Sequence, residues 1–250
     1  MENKEAEGRI FPLECPVCGS STNYVYCIKD SENLESIWYR CCCGVIFQKD
    51  LPAHDVYNAK YIANYEDAKD IKRVAIHAGR TYAPIVEELT YGRKMLDVGF
   101  GLPYNMNFFK ERGWITTGIE INEEYKGCKG IINGNFETYE NFKEDYDFIW
   151  MSHALEHFNN PIEVLRKSYD LLSESGVIYL AVPDIDFIMK TGVANWGHFK
   201  KREHYVLWSE RAIVRELEKI GFNVVVKKKN FSQRFITHYD CHIIAQKNFI

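Results

Sequence analysis

The chain of 250 residues has no apolar run long enough to cross a membrane. Its longest runs, such as Val177 to Val182, fall far short of the ~20 residues a spanning helix requires. The first ten residues, MENKEAEGRI, are polar and lack the apolar stretch of a secretion signal. Neither sign of charge is in large excess. Lysine and arginine number 31 against 35 aspartates and glutamates, a formal charge of −4. That excludes a strongly basic nucleic-acid coat and gives phosphate backbones little to bind. Internal repeats and low-complexity stretches are missing as well. With 46% hydrophobic and 26% charged residues, the composition is that of a folded chain rather than a disordered one. At roughly 100–200 residues per domain, the length allows one sizeable domain and a small accessory one. The expectation is a cytoplasmic protein with no membrane association.

What is present is unevenly spread. Six of the 8 cysteines (Cys15, Cys18, Cys27, Cys41, Cys42 and Cys43) are crowded near the N-terminus, and only Cys128 and Cys241 lie elsewhere. A reducing compartment disfavours disulfides, so clustered thiols read first as metal ligands. Cys15-Pro-Val-Cys18-Gly19 has the form of half a zinc ribbon: two thiolates two residues apart, then a glycine that permits the knuckle turn. The second half, Cys41-Cys42-Cys43-Gly44, is compressed to C-x-C-G from Cys41 and Cys43. Cys15, Cys18, Cys41 and Cys43 form the expected zinc set, with Cys27 or Cys42 as possible replacements. Composition therefore divides the chain into a Cys-rich, zinc-ribbon-like module (1–50), a Tyr-rich helical connector (51–91) and a body (92–250). Within the connector Tyr57, Tyr61 and Tyr65 recur at i, i+4 and i+8, along one helical face. That face either covers a cleft as a lid or packs.

The body alternates short apolar strands with amphipathic helices. Strands are expected at 94–99, 115–120, 130–133, 146–151, 177–182, 223–228 and about 237–245. Helices are expected from Tyr104 to a stop at Gly113, over 161–172 with proline in the first turn, and over 211–220 between Ser209 and Gly221. This is the pattern of an α/β, doubly wound, mostly parallel seven-stranded sheet with helices on both faces. No helix separates the last two strands, so they are expected to pair antiparallel at the sheet edge. The first strand runs into Asp97-Val-Gly99-Phe-Gly101-Leu-Pro103 at a strand-to-helix turn, where glycines let a ligand approach the backbone. Glu120 ends the next strand, where a carboxylate can accept hydrogen bonds from both ribose hydroxyls. Together they indicate a nucleoside-containing cofactor. The dinucleotide fingerprint would need glycine where Tyr104 stands, and an acid two residues before the first glycine suits an ammonium group better than a pyrophosphate.

At this point the sequence resembles the class I S-adenosylmethionine (SAM)-dependent methyltransferases. LDVGFG, GIEI with Glu120, GNFE from Gly134, YDFIWMSHALEHFNNP and LLSESGVIYLAVPD carry the likeness in order. The resemblance implies a Rossmann-like methyltransferase fold, and cofactor binding by Asp97, Gly99, Gly101, Glu120, Asn135, Phe136, Met151 and Ser152. Pro103 and Asn135 depart from the family pattern, at the third glycine of the first motif and at the usual acid near adenine. His153-Ala-Leu-Glu156-His157 also fits H-x-x-E-H, but that zinc signature needs a long helix and this segment follows directly on a strand. By resemblance His153 faces the transferable methyl. His198 and His204 are further candidates for a base, and Trp196 with Tyr57 and Tyr61 for a substrate lid. The Cys-rich leader, the spaced tyrosines and the cofactor domain together look like a bacterial methyltransferase group acting on sugars and related small metabolites. The expected activity is methyl transfer to oxygen or nitrogen of a small molecule or glycan. The alternatives are an RNA base methyltransferase with a zinc module, or a non-catalytic binding protein of the same fold. Nucleic acid is disfavoured by the charge balance.

Overall fold

The computed structural model describes residues 13–22, 24–29, 35–50, 69–143, 145–186, 203–229 and 240–248. In chain order these form strands β1 (Leu13–Glu14), β2 (Ser21–Thr22), β3 (Val25–Lys29), β4 (Glu35–Arg40) and β5 (Val45–Gln48). Helix α1 (Lys69–Leu89) follows, then β6 (Lys94–Val98), α2 (Tyr104–Glu111), β7 (Ile115–Glu120), β8 (Ile131–Asn133) and β9 (Tyr146–Ser152). The remainder is α3 (Pro161–Leu171), β10 (Leu172–Pro183), β11 (Val206–Trp208), α4 (Glu210–Ile220), β12 (Phe222–Lys229) and β13 (Asp240–Lys247). No helix among the described residues is long and apolar enough to cross a membrane.

Seven strands form the central sheet in the order β12-β13-β10-β9-β6-β7-β8. Strands β6 to β10 pair in parallel, while β13 runs antiparallel to both its neighbours. The last two strands do pair antiparallel, but β13 lies inside the sheet and β12 takes the edge. Burial explains this: Cys241 to Ala245 are all buried, whereas β12 carries Lys227, Lys228 and Lys229, the residues a solvent-facing edge tolerates. The apolar run of β10, buried from Gly176 to Pro183, is what a strand covered on both faces requires. Helix ends follow local chemistry. Ser209 Oγ accepts from Ala212 N at 3.2 Å, Pro161 opens α3, and Gly221 closes α4 at φ 119°.

Two boundaries differ from the compositional reading. Helix α1 falls within the connector by sequence, yet Tyr82, Ala83 and Val86 are buried in one core with Phe109, Trp114, Phe148 and Trp150 of the body. An ion pair of Arg112 with Glu87 at 2.6 Å adds a polar tie between α1 and the end of α2. The Cys-rich module is likewise continuous with the body: β11 pairs antiparallel with β5, Val206 opposite Phe47 and Trp208 opposite Val45, giving the sheet β11-β5-β4-β3. Trp208 is fully buried in this seam, and its indole N–H meets no acceptor. Trp208→Ala is expected to lower stability by about 3–5 kcal/mol. Trp208→Phe should cost less than half as much, because it keeps the ring packing and removes an unsatisfied donor. Urea unfolding of the two variants checks the order.

Candidate active site

The parallel strands deliver their C-terminal ends to one edge, and there β6 turns into α2. Gly99 (φ 64°) and Gly101 (φ 55°) are left-handed, and a Cβ on Gly99 would lie 3.0 Å from that of Ala154. Glycine is what the turn permits. Glu120, 8% exposed at the end of β7, closes the loop. Its Oε2 accepts from Gly101 N at 3.0 Å, and its Oε1 accepts from Ile121 N at 2.9 Å and Asn122 N at 3.2 Å. Both lone pairs of Oε1 are therefore engaged by backbone, and the spare capacity for a hydroxyl lies on Oε2. Asp97, 1% exposed, has an Oδ2 buried without any hydrogen-bond partner. Burial, and then the Glu120 charge, push its carboxyl well above the usual carboxylate range. Two acids beside a glycine turn, one of them with an orphaned oxygen, are groups that could hold a cationic nucleoside. The ammonium and ribose of SAM fit them.

The turn after β8 is only partly as expected. Asn135 Oδ1 accepts from Glu137 N at 2.8 Å, so the side-chain oxygen caps the turn and the amide N–H groups remain for a ligand. The Phe136 ring is 2% exposed and packs against Phe142 and Phe158 at 5.6 and 6.2 Å, under the Lys167 ammonium. The ring is part of the core. At the end of β9 Met151 is buried and Ser152 half-buried.

His153 follows with φ 52°, the one positive φ outside glycine among the described residues. Its N donates to Ala181 O at 2.8 Å. The ring Nδ1 lies 3.5 Å from Glu156 Oε1 and the Nε2 lies 3.2 Å from Asp240 Oδ2, with 40% of the side chain exposed. Burial alone would lower its pKa, but Asp240 and Glu156 outweigh it and hold it well above the ordinary histidine value. Glu156 is fully buried. Burial raises its pKa, but His153 and His157 prevail and bring it below the ordinary value. Sequence reading found His153 but neither carboxylate in this role. Glu156 was visible in HALEH, whereas nothing in the sequence marks Asp240.

His204 is placed differently from a base on the acceptor. It is 4% exposed, its ring lies 4.7 Å from that of His157, and its carbonyl accepts from Gln48 Nε2. It belongs to the seam with the Cys-rich module. The HALEH segment forms a single-turn helix over Leu155–His157, not the long helix of a zinc peptidase. The donor atoms of Glu156, His157 and His204 nevertheless lie within 4.8 Å of one another, with His157 Nδ1 2.8 Å from Glu203 O. The Glu156 charge is already met by His153 and His157. His198, Trp196, Tyr57 and Tyr61 lie outside the described residues.

In the N-terminal module the Sγ atoms of Cys15, Cys18, Cys41 and Cys43 all lie within 4.8 Å of one another. Cys15–Cys43 is 3.7 Å and Cys18–Cys41 is 3.5 Å. A tetrahedral zinc with Zn–S of about 2.3 Å has S–S edges of about 3.8 Å, so the donor set fits. Gly19 and Gly44, at φ 72° and 97°, supply the knuckle turns. Cys27 and Cys42 are exposed and outside this group.

Comparison with known proteins agrees with this fold. A family model described as a methyltransferase domain matches residues 68–227. No curated protein matches. Among solved structures, 1,6-didemethyltoxoflavin-N1-methyltransferase of Burkholderia thailandensis, with its substrate and S-adenosylhomocysteine (SAH) bound, is 13% identical. That match covers 90% of this chain and 100% of that one, with a TM-score of 0.58. A possible histamine N-methyltransferase of Thermotoga maritima is 16% identical over 76% of this chain and 97% of its own, TM-score 0.56. Magnesium protoporphyrin IX methyltransferase of Synechocystis PCC 6803, with SAH bound, is 15% identical over 71% and 83%, TM-score 0.52. At these identities the likeness is one of fold, whereas the family model spans more than half of the chain. The chain belongs to the methyltransferase-domain family and is a SAM-dependent methyltransferase.

Proposed function

We propose that the chain transfers the SAM methyl group to an oxygen or nitrogen of a small molecule or glycan, and that its four clustered thiols hold a structural zinc. The observation that carries the reading is His153 at the end of β9, part-exposed and backed by two carboxylates, on the same strand edge as the Asp97–Glu120 seat. Bound SAM supplies an activated methyl group. The chain's own residues then bind, orient and manage the proton. Asp97 would hold the ammonium, Glu120 Oε2 and the amide of Asn135 would hold the nucleoside, and Gly99 and Gly101 keep the turn open. In its neutral form, populated as pH rises through its raised pKa, His153 takes up the proton an O–H or N–H acceptor must lose. Glu120, Glu156 and Asp240 place three carboxylates at this edge, and Lys227, Lys228 and Lys229 of the edge strand β12 pair with Ile243, His242 and Cys241 of β13. The formal charge of −4, with lysines and arginines outnumbered by acids, favours a small acceptor over RNA. The test is transfer of label from methyl-labelled SAM to a panel of sugars, amines and phenols beside tRNA and rRNA. Labelled RNA with an unlabelled small-molecule panel would overturn the reading.

A pH prediction follows from Asp97. Its raised pKa keeps it protonated in the ligand-free chain at pH values where an ordinary aspartate is ionised. A cation at Oδ2 favours the ionised form, so binding releases a proton and SAM affinity weakens as pH falls through the raised pKa. Calorimetry in two buffers of different ionisation heat should show buffer-dependent enthalpy for the wild type and little for Asp97→Asn.

A further inference from the structure

The placement of Asp240 is a consequence of topology. A strand that joined the sheet in parallel would end at the active edge, but β13 runs the other way and begins there. Its first residue, Asp240, lies opposite Pro183, the last residue of β10, and reaches His153 Nε2 at 3.2 Å. His153 in turn holds a left-handed backbone conformation that disfavours a residue with a Cβ and persists only where its surroundings enforce it. Three elements do so: β10 through Ala181 O, the single-turn helix through Glu156, and β13 through Asp240.

The two carboxylates are not equivalent. Glu156 is fully buried, 3.5 Å from Nδ1, and also faces His157 Nε2 at 4.0 Å. Asp240 is 13% exposed and pairs with the other ring nitrogen. Asp240 also acts on Tyr82 of α1 and Tyr179 of β10, whose phenols are pushed up first by burial and further by its charge. Tyr179 is further tied to His242 Nδ1 at 2.7 Å.

We infer that Asp240 is a positioning residue for methyl transfer: together with Glu156 it fixes the strained His153 ring at the strand edge and stabilises the proton that His153 receives. The inference rests on the proposed role of His153 as the proton acceptor. As the bond between acceptor atom and methyl carbon forms, the carbon–sulfur bond breaks and its electron pair stays on sulfur. The acceptor's proton passes to Nε2 of the neutral His153 ring, the form populated as pH rises through its raised pKa. The imidazolium so formed closes onto Asp240 Oδ2 before the proton leaves to solvent through the exposed side of the pair.

The test uses the full chain loaded with SAH, in the wild type and in Asp240→Asn and Asp240→Glu, with histidine-selective NMR titration assigned by His153→Gln. The wild-type His153 is expected to titrate above the ordinary 6.5. Asp240→Asn should reduce its proton affinity by roughly 10-fold, about one pKa unit, and Asp240→Glu should restore most of it. SAH affinity should change less than 2-fold throughout. A wild-type His153 that titrates at or below 6.5 overturns the inference even if Asp240→Asn fails to fold, as does an Asp240→Asn titration identical to the wild type. Loss of SAH binding by the wild-type chain would instead strike the cofactor reading.

Discussion

Glu120→Ala is expected to weaken SAH binding by about 10²–10³-fold while leaving the chain folded. The carboxylate holds three backbone N–H groups at once, those of Gly101, Ile121 and Asn122. Its removal deletes the hydrogen bond proposed between Oε2 and the ribose and frees the glycine turn beside it. Hydrogen bonds to a charged group contribute about 1.5–3 kcal/mol each, and about 1.4 kcal/mol is a tenfold change in affinity, so the loss of two accounts for the range. Asp97 will respond in the opposite sense. The Glu120 charge is part of what keeps it protonated, so in Glu120→Ala its carboxyl ionises more readily. Proton release on binding should therefore shrink along with affinity. Calorimetric titration with SAH, alongside a thermal midpoint to confirm folding, checks both effects; an affinity within 3-fold of the wild type would contradict the seat.

The second large effect lies at the other end of the chain. Cys43→Ser is expected to abolish binding of about one zinc per chain and to unfold the N-terminal sheet. Structural four-thiolate sites contribute about 10–16 kcal/mol of apparent binding energy, which in small modules is folding energy. The disturbance should not stop at residue 50. Cys43 O accepts from Arg215 of α4 at 2.8 Å, Gly44 O accepts from Ser209 N at 3.1 Å, and Gln48 N donates to Tyr205 O at 3.0 Å. Tyr205 N in turn donates to Glu156 O at 2.7 Å, behind His153. Loss of zinc should thus weaken the β5–β11 seam and loosen the turn that carries the proposed acid–base group. Zinc release to a chromophoric chelator, with hydrogen exchange at 203–209, measures both consequences. A metal-free wild type as stable as the loaded protein would contradict them.

Much of this was legible before the structure because local rules and global fold agree. The buried run of β10, the Ser209 cap, the Gly221 stop and the Gly99–Gly101 turn each announce themselves through periodicity or backbone chemistry. What escaped depends on contacts between distant segments. Helix α1 lies in a Tyr-rich stretch whose composition resembles a connector, and only the burial of Tyr82, Ala83 and Val86 against Phe148 and Trp150 makes it part of the body. Phe136 was assigned to the cofactor from its motif, but packing with Phe142 and Phe158 claims its ring. His204 was a base candidate by residue type, and pairing of β11 with β5 buries it at a seam. Asp240 has no local signature at all, because only the antiparallel insertion of β13 brings it to His153.

The most direct measurement is a crystal structure of the wild-type chain grown with SAH. The account predicts the adenosyl ribose against Glu120 Oε2, the amino group against Asp97 Oδ2 beside the Gly99–Gly101 turn, and the sulfur on the side of Ser152 and His153. A ligand bound elsewhere, or a seat filled by the chain's own side chains at saturating SAH, would contradict it.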